Sequence, residues 1–129
     1  MTMEIKRPPL SAMMHHPVDA IKRLGLTVEG SQGAGLEEMS PYADVLATAH
    51  GPFKDGDMRL NPAATDGDFR EESITIIEDF IKMTTAFPKL TQINVHFGCV
   101  RRVEPDQTRG REGEYDHQIE GFQRIADFA

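Results

Sequence analysis

Two histidines stand where apolar runs give way to glycine: His50 in Ala49-His50-Gly51-Pro52-Phe53 and His96 in Val95-His96-Phe97-Gly98. Each closes a run that reads as a β-strand. In parallel α/β sheets, ligand-handling groups gather at strand carboxyl ends, because the loops there are free to vary. The neighbouring glycine lets backbone approach a ligand closely. Imidazoles on adjacent strands can converge on one metal ion or one small polar substrate. Equally, two strand-end histidines can do no more than hydrogen-bond their own loops. Glu29 closes an earlier run, Leu26-Thr27-Val28-Glu29-Gly30. It reads either as a general base or ligand in the same mouth, or as a solvated carboxylate.

Other reactive residues are less informative. His15 and His16 are vicinal, so on a strand they point to opposite sides and cannot easily share an ion. They read as loop or surface residues, and His117 as solvated. Asp55, Asp57, Asp66 and Asp68 lack the spacing and closing Glu of an EF-hand, and read as caps and turn residues. Arg101, Arg102, Arg109 and Arg111 make a basic loop after the His96 strand. It is either a solvated loop with salt bridges or a holder for a substrate phosphate at the site mouth, Arg101 being the candidate substrate-binding residue. Cys99 has no nucleophilic or redox motif around it and reads as a small buried filler.

The elements that must position these groups alternate between apolar strand runs and helical patterns, which predicts βα units and a parallel sheet. Leu10 to Met14 is a first short strand. Pro17 opens a helix with Val18, Ile21 and Leu24 on one face, and Gly25 stops it. A Gly-rich loop, a turn of helix over Leu36 to Met39 and the strand run Asp44 to Ala49 follow. Lys54 to Gly67 reads as a long polar loop. The clearest helix has Asp68 as N-cap and Glu71 three residues on, with Ile74, Ile77, Phe80, Ile81 and Thr84 as its apolar stripe. Pro88 marks its end. Gln92 to Phe97 is the fourth strand. The last helix places Tyr115, Ile119, Phe122 and Ala126 on one stripe.

Three segments, in this order and spacing, resemble the front half of the xylose-isomerase-like TIM-barrel superfamily: Ala49 to Phe53, the helix opening Asp68-Phe69-Arg70-Glu71-Glu72-Ser73, and Val95 to Gly98. The likeness runs from about Leu24 onward and is specific as a set. That family includes sugar and sugar-phosphate isomerases and epimerases, and the apurinic endonucleases of the endonuclease IV type. The resemblance implies that His50 and His96 face a central site, as zinc ligands in the endonuclease branch or as sugar-binding groups in epimerases. It implies a divalent metal (Zn, Mn or Mg) as cofactor, with further ligands from later strands. The expected fold is α/β: residues 1–129 as one partial TIM barrel of about four βα units, truncated after the fourth. A full barrel takes roughly 250 residues, against 129 here. Such a sheet would expose an apolar inner face and two open edges. A second copy, or another half-barrel chain, is the expected cover.

The bulk composition agrees with a globular chain: 39% hydrophobic residues, one cysteine, and a net charge of −7. No apolar run approaches a membrane span, and Met1 to Leu10 has no signal-peptide core. The single cysteine fits a reducing, cytoplasmic setting. The acidic balance disfavours nucleic acid as a partner. Three functions follow in order. The first is an isomerase or epimerase acting on a sugar or sugar phosphate by metal-assisted proton transfer, incomplete as a lone chain. Glu29 would move the proton, His50 and His96 would hold substrate or metal, and Arg101 would hold substrate. The second is a non-catalytic binding module or relic of the fold. The third is a DNA-repair endonuclease, against which the charge speaks.

Overall fold

The computed structural model describes residues 11–56, 58–96 and 115–129, which form mixed α/β structure around a small parallel sheet. Its strands are β1 (Ser11–Met13), β2 (Thr27–Gly30), β3 (Leu46–His50) and β6 (Gln92–Asn94). Between β3 and β6 lies an antiparallel hairpin of β4 (Lys54–Asp55) and β5 (Met58–Arg59). The helices are α1 (Val18–Arg23), α2 (Leu36–Met39), α3 (Gly67–Thr84) and α4 (Tyr115–Phe128), with a 3-10 turn at Ser40–Tyr42. Among the described residues no helix is long and apolar enough to cross a membrane.

The sheet order is β1-β2-β3-β6, every pair parallel. Crossovers between parallel neighbours are nearly always right-handed. An order that advances in one direction therefore sends each connecting helix to the same face. The core shows this: Ile21 of α1, Met39 of α2 and Phe80 of α3 pack with Val28, Leu46 and Ala49 of the sheet. Gly30 belongs to that face too, where a Cβ would lie 2.9 Å from Met39 Sδ.

The opposite face carries Thr27, Glu29, Thr48, His50, Gln92 and Asn94, with Met13 at one end. The expected apolar inner face is therefore a polar one. Along β2 and β6 simple alternation explains this. Along β3 it does not, because Leu46 and Ala49 are both fully buried yet three positions apart. The register resolves it. Val28 pairs with Leu46 but Glu29 pairs with Thr48, so Ala47 is an extra residue in β3. A one-residue slip reverses every side chain beyond it. The bulge is what turns Thr48 and His50 away from the helices.

Local chemistry accounts for the helix ends. Gly25 adopts φ 64° after α1. Leu26 N–H donates to Ile21 O and Gly25 N–H to Lys22 O, the two bonds of a Schellman stop. The cap of α3 is Asp66, not Asp68: its carboxylate accepts from Phe69 N–H at 2.8 Å. The α3 stripe is as expected, with Ile74, Ile77, Phe80, Ile81 and Thr84 buried. The segment read as a long polar loop is different. Beyond the hairpin, Leu60 to Ala64 is buried, with Asn61 Oδ1 accepting from Ala63 N–H and Asn61 N–H donating to Ser73 Oγ. Its apolar residues follow no period, so they leave no helix or strand signature.

The last helix also departs from expectation. Gly121 and Ile125 are buried, whereas Ile119 is 53% and Phe122 60% exposed. Gly121 seats against Pro62, where an added Cβ would stand 2.6 Å from the carbonyl oxygen. His117, expected in solvent, is partly buried with Nδ1 3.2 Å from Arg70 Nη1. Arg124 reaches Glu71 at 2.6 Å and Glu78 at 3.0 Å across the helix pair. Hydrogen bonds to Glu71 and then Glu78 push its pKa above the ordinary arginine value. So α4 rests on the Leu60–Ala64 segment through a small residue, and meets α3 through Ile125 and a polar seam; a bulky residue in place of Gly121 could not approach the Pro62 backbone this closely. Phe122 instead borders an apolar groove of about 500 Å³ beside the edge strand β6, with Ile81, Phe87, Leu90, Ile93 and Ile125.

Gly121→Ala tests this seating. Alanine gains about 1 kcal/mol of intrinsic helix propensity. The clash with the Pro62 carbonyl costs about 1–3 kcal/mol as overpacking. The expected result is a lower Tm with helical circular dichroism retained. A Tm at or above the parent's would show that α4 does not rest on Pro62.

Candidate functional site

The site is built on the polar face, at the carboxyl ends of β2, β3 and β6. Parallel register sets Glu29 beside Thr48, and His50 beside Asn94. Two backbone bonds fasten the strand ends: Gly51 N–H donates to Asn94 O at 2.8 Å, and Gly33 N–H to His50 O at 3.1 Å. Gly51 is tight for a reason, since a Cβ there would meet Asn94 O at 3.3 Å.

These constraints bring Glu29, His50 and His96 into one chain. His50 Nε2 lies 3.0 Å from Glu29 Oε1, with the two side chains 31% and 27% exposed. His50 Nδ1 lies 3.2 Å from His96 Nε2. The two rings are nearly parallel, at 11°, with centroids 5.2 Å apart. Asn94 Nδ2 also donates to Glu29 Oε1 at 3.0 Å, and Gln92 Nε2 donates to Asn94 Oδ1 at 3.0 Å. Phe53 sets its ring edgewise to His96, centroids 6.1 Å apart. Glu29, His50, His96 and Phe53 line one cavity of about 260 Å³ together with Met13, Gly30, Ser31 and Gln32.

The bonding pattern assigns the protons. An ionised Glu29 only accepts. It therefore selects the His50 tautomer with hydrogen on Nε2, which leaves Nδ1 as an acceptor for His96 Nε2–H. Carboxylate, imidazole and imidazole run in line, each oriented by the group behind it. Such an array can pass a proton along its length. As a metal site it is poorly disposed. Both nitrogens of His50 are engaged, and among the described residues no three His, Cys, Asp or Glu side chains gather as a donor set. Catalytic zinc sites present at least three protein ligands around one centre. Here the donors are chained end to end, and the further ligands that the resemblance implies would come from later strands.

The sequence reading singled out Glu29, His50 and His96, and the structure brings them together. Glu29 lines the same cavity as the histidines, as expected, and is hydrogen-bonded to His50. His15 and His16 lie at an exposed turn after β1, as expected, with ring centroids 4.3 Å apart. Arg101, the rest of the basic loop and Cys99 lie outside the described residues. Gln92 and Asn94 are not among the site residues expected from the sequence. Their signal was present, since Gln92, Asn94 and His96 follow one another at every second position and so share a strand face. Comparison with protein-family models, curated proteins and solved structures finds no match.

The tautomer assignment is open to direct measurement. Long-range ¹⁵N–¹H spectra should show the Nε2–H form of His50 dominating in the parent chain. Glu29→Ala should leave a mixture of both forms. Identical His50 spectra in the two proteins would mean that the carboxylate does not orient this ring.

Proposed function

We propose that the chain carries the proton-transfer part of an isomerase- or epimerase-like site acting on a sugar or sugar phosphate. The observation that carries the reading is the hydrogen-bonded array Glu29–His50–His96, built on three neighbouring parallel strands and lining one cavity. Isomerisation or epimerisation next to a carbonyl requires a base that removes a proton from carbon and an acid that returns it. With Nε2–H committed to His50, the remaining nitrogen of His96 is the base. As it takes the substrate proton, its Nε2 proton can shift toward His50 Nδ1, and positive charge spreads toward the Glu29 carboxylate. Reversal of the same shifts returns the proton. General acid–base catalysis of this kind contributes about 10²–10⁴-fold. In this reading Glu29 acts through the imidazole, and Asn94 and Gln92 hold the carboxylate in place.

We infer further that the sheet is a sector of a (β/α) barrel. Strand order follows chain order, the helices share one face, and the polar groups lie at the strand carboxyl ends. All three are barrel habits. A doubly wound sheet would instead reverse its order at a switch point.

Exchange of substrate protons with solvent tests the reaction directly. A ketose and its phosphate, incubated with the protein in D₂O, should lose the NMR signal of the proton beside the carbonyl. His50→Gln should slow that loss about 10²–10⁴-fold. Exchange at the background rate, or exchange indifferent to His50→Gln, would end this reading.

A further inference from the structure

The β4–β5 hairpin leaves β3 directly after the site and places two cations beside it. Lys54 and Arg59 are cross-strand partners in the antiparallel pair, directly opposite one another. Lys54 Nζ lies 5.6 Å from the centre of the Phe53 ring, and Arg59 Cζ lies 5.9 Å from it. Phe53 in turn lines the cavity and touches His96 edgewise. Both cations are therefore one aromatic ring away from the outer imidazole.

Their pairing is unusual. Like charges directly opposite on a ribbon destabilise it, and a two-stranded ribbon is marginal to begin with. Neither cation has an ion pair among the described residues. Asp55 adjoins Lys54, but it is paired with Met58, and successive strand side chains point to opposite faces. The Phe53 ring offsets part of the repulsion. A bound dianion would remove the rest.

We propose that Lys54 and Arg59 form an anion-binding arm that takes the phosphate of a phosphorylated sugar whose carbonyl end lies against His96. This deepens the reading above and rests on it for the position of the reacting end. The lysine supplies a point charge and the arginine a planar fork, a combination suited to phosphate oxygens. The net charge of −7 works against an anion at long range. That field is screened beyond about 8–10 Å in physiological salt, whereas two cations in contact with the ligand are not. The arm thus selects phosphorylated over neutral sugars at short range, against the sign of the whole molecule.

Inorganic phosphate is the first probe. Titrated into the ¹⁵N-labelled chain at constant ionic strength, it should give saturable shifts at the amides of residues 53–59, where chloride gives none. The double variant Lys54→Gln/Arg59→Gln should weaken binding about 10–100-fold, the loss of charge-assisted hydrogen bonds. Lys54→Arg/Arg59→Lys should retain it, which separates charge from any disturbance of the hairpin. Shifts absent, or unchanged in the glutamine variant, would overturn the arm. Ribose and ribose 5-phosphate then separate the two proposals. Phosphate binding at the hairpin without proton exchange on either compound leaves the arm standing and removes the reaction. Equal exchange on both compounds, insensitive to the glutamine variant, leaves the reaction standing and removes the arm.

Discussion

The extra residue at Ala47 is the constraint on which the site depends. Leu46 and Ala49 both sit under the helices, and strict alternation cannot bury two residues three positions apart in one strand. The bulge accommodates both. In doing so it delivers Thr48 and His50 to the other face. Without the slip, Leu46, Thr48 and His50 would share a side, and the imidazole would enter the helix-packed core. Once His50 faces outward, parallel register sets it beside Asn94, and the Gly51–Asn94 backbone bond draws the ends of β3 and β6 together.

The two faces of the sheet divide the work. Val28, Leu46, Met39 and Ile21 are almost fully removed from water on the helix side. Side chains of this size contribute about 1.5–3 kcal/mol each on burial. The polar array on the other face is half-exposed, and a typical hydrogen bond contributes about 0.5–1.5 kcal/mol net. The fold therefore holds the array, and the array does not hold the fold. Where polar groups do enter the core they are satisfied. Ser73 Oγ accepts from Asn61 N–H and donates to Phe69 O, Asn61 Oδ1 accepts from Ala63 N–H, and among the described residues no buried side-chain nitrogen or oxygen lacks a partner.

Orientation within the array follows from stoichiometry. Glu29 Oε1 receives two donors, one from His50 and one from Asn94, and Asn94 is itself steered by Gln92. Each imidazole has only two nitrogens, so engaging one determines the role of the other. That is why the three groups are joined head to tail, each setting the orientation of the next.

The sequence by itself determined the kinds of element and the side chains able to do chemistry. Parallel βα units, the α3 stripe, the Gly25 stop and the candidacy of Glu29, His50 and His96 were all legible, because each rests on a local period or a residue's own chemistry. Only the tertiary structure decided the facing of β3, the polarity of the open sheet face, the burial of Leu60 to Ala64 and the seating of Gly121 on Pro62. It also decided the linkage of Glu29 to His96 through His50. These depend on register and on the close approach of segments distant in the chain, and a one-residue slip or a missing Cβ leaves no trace in a hydrophobic period.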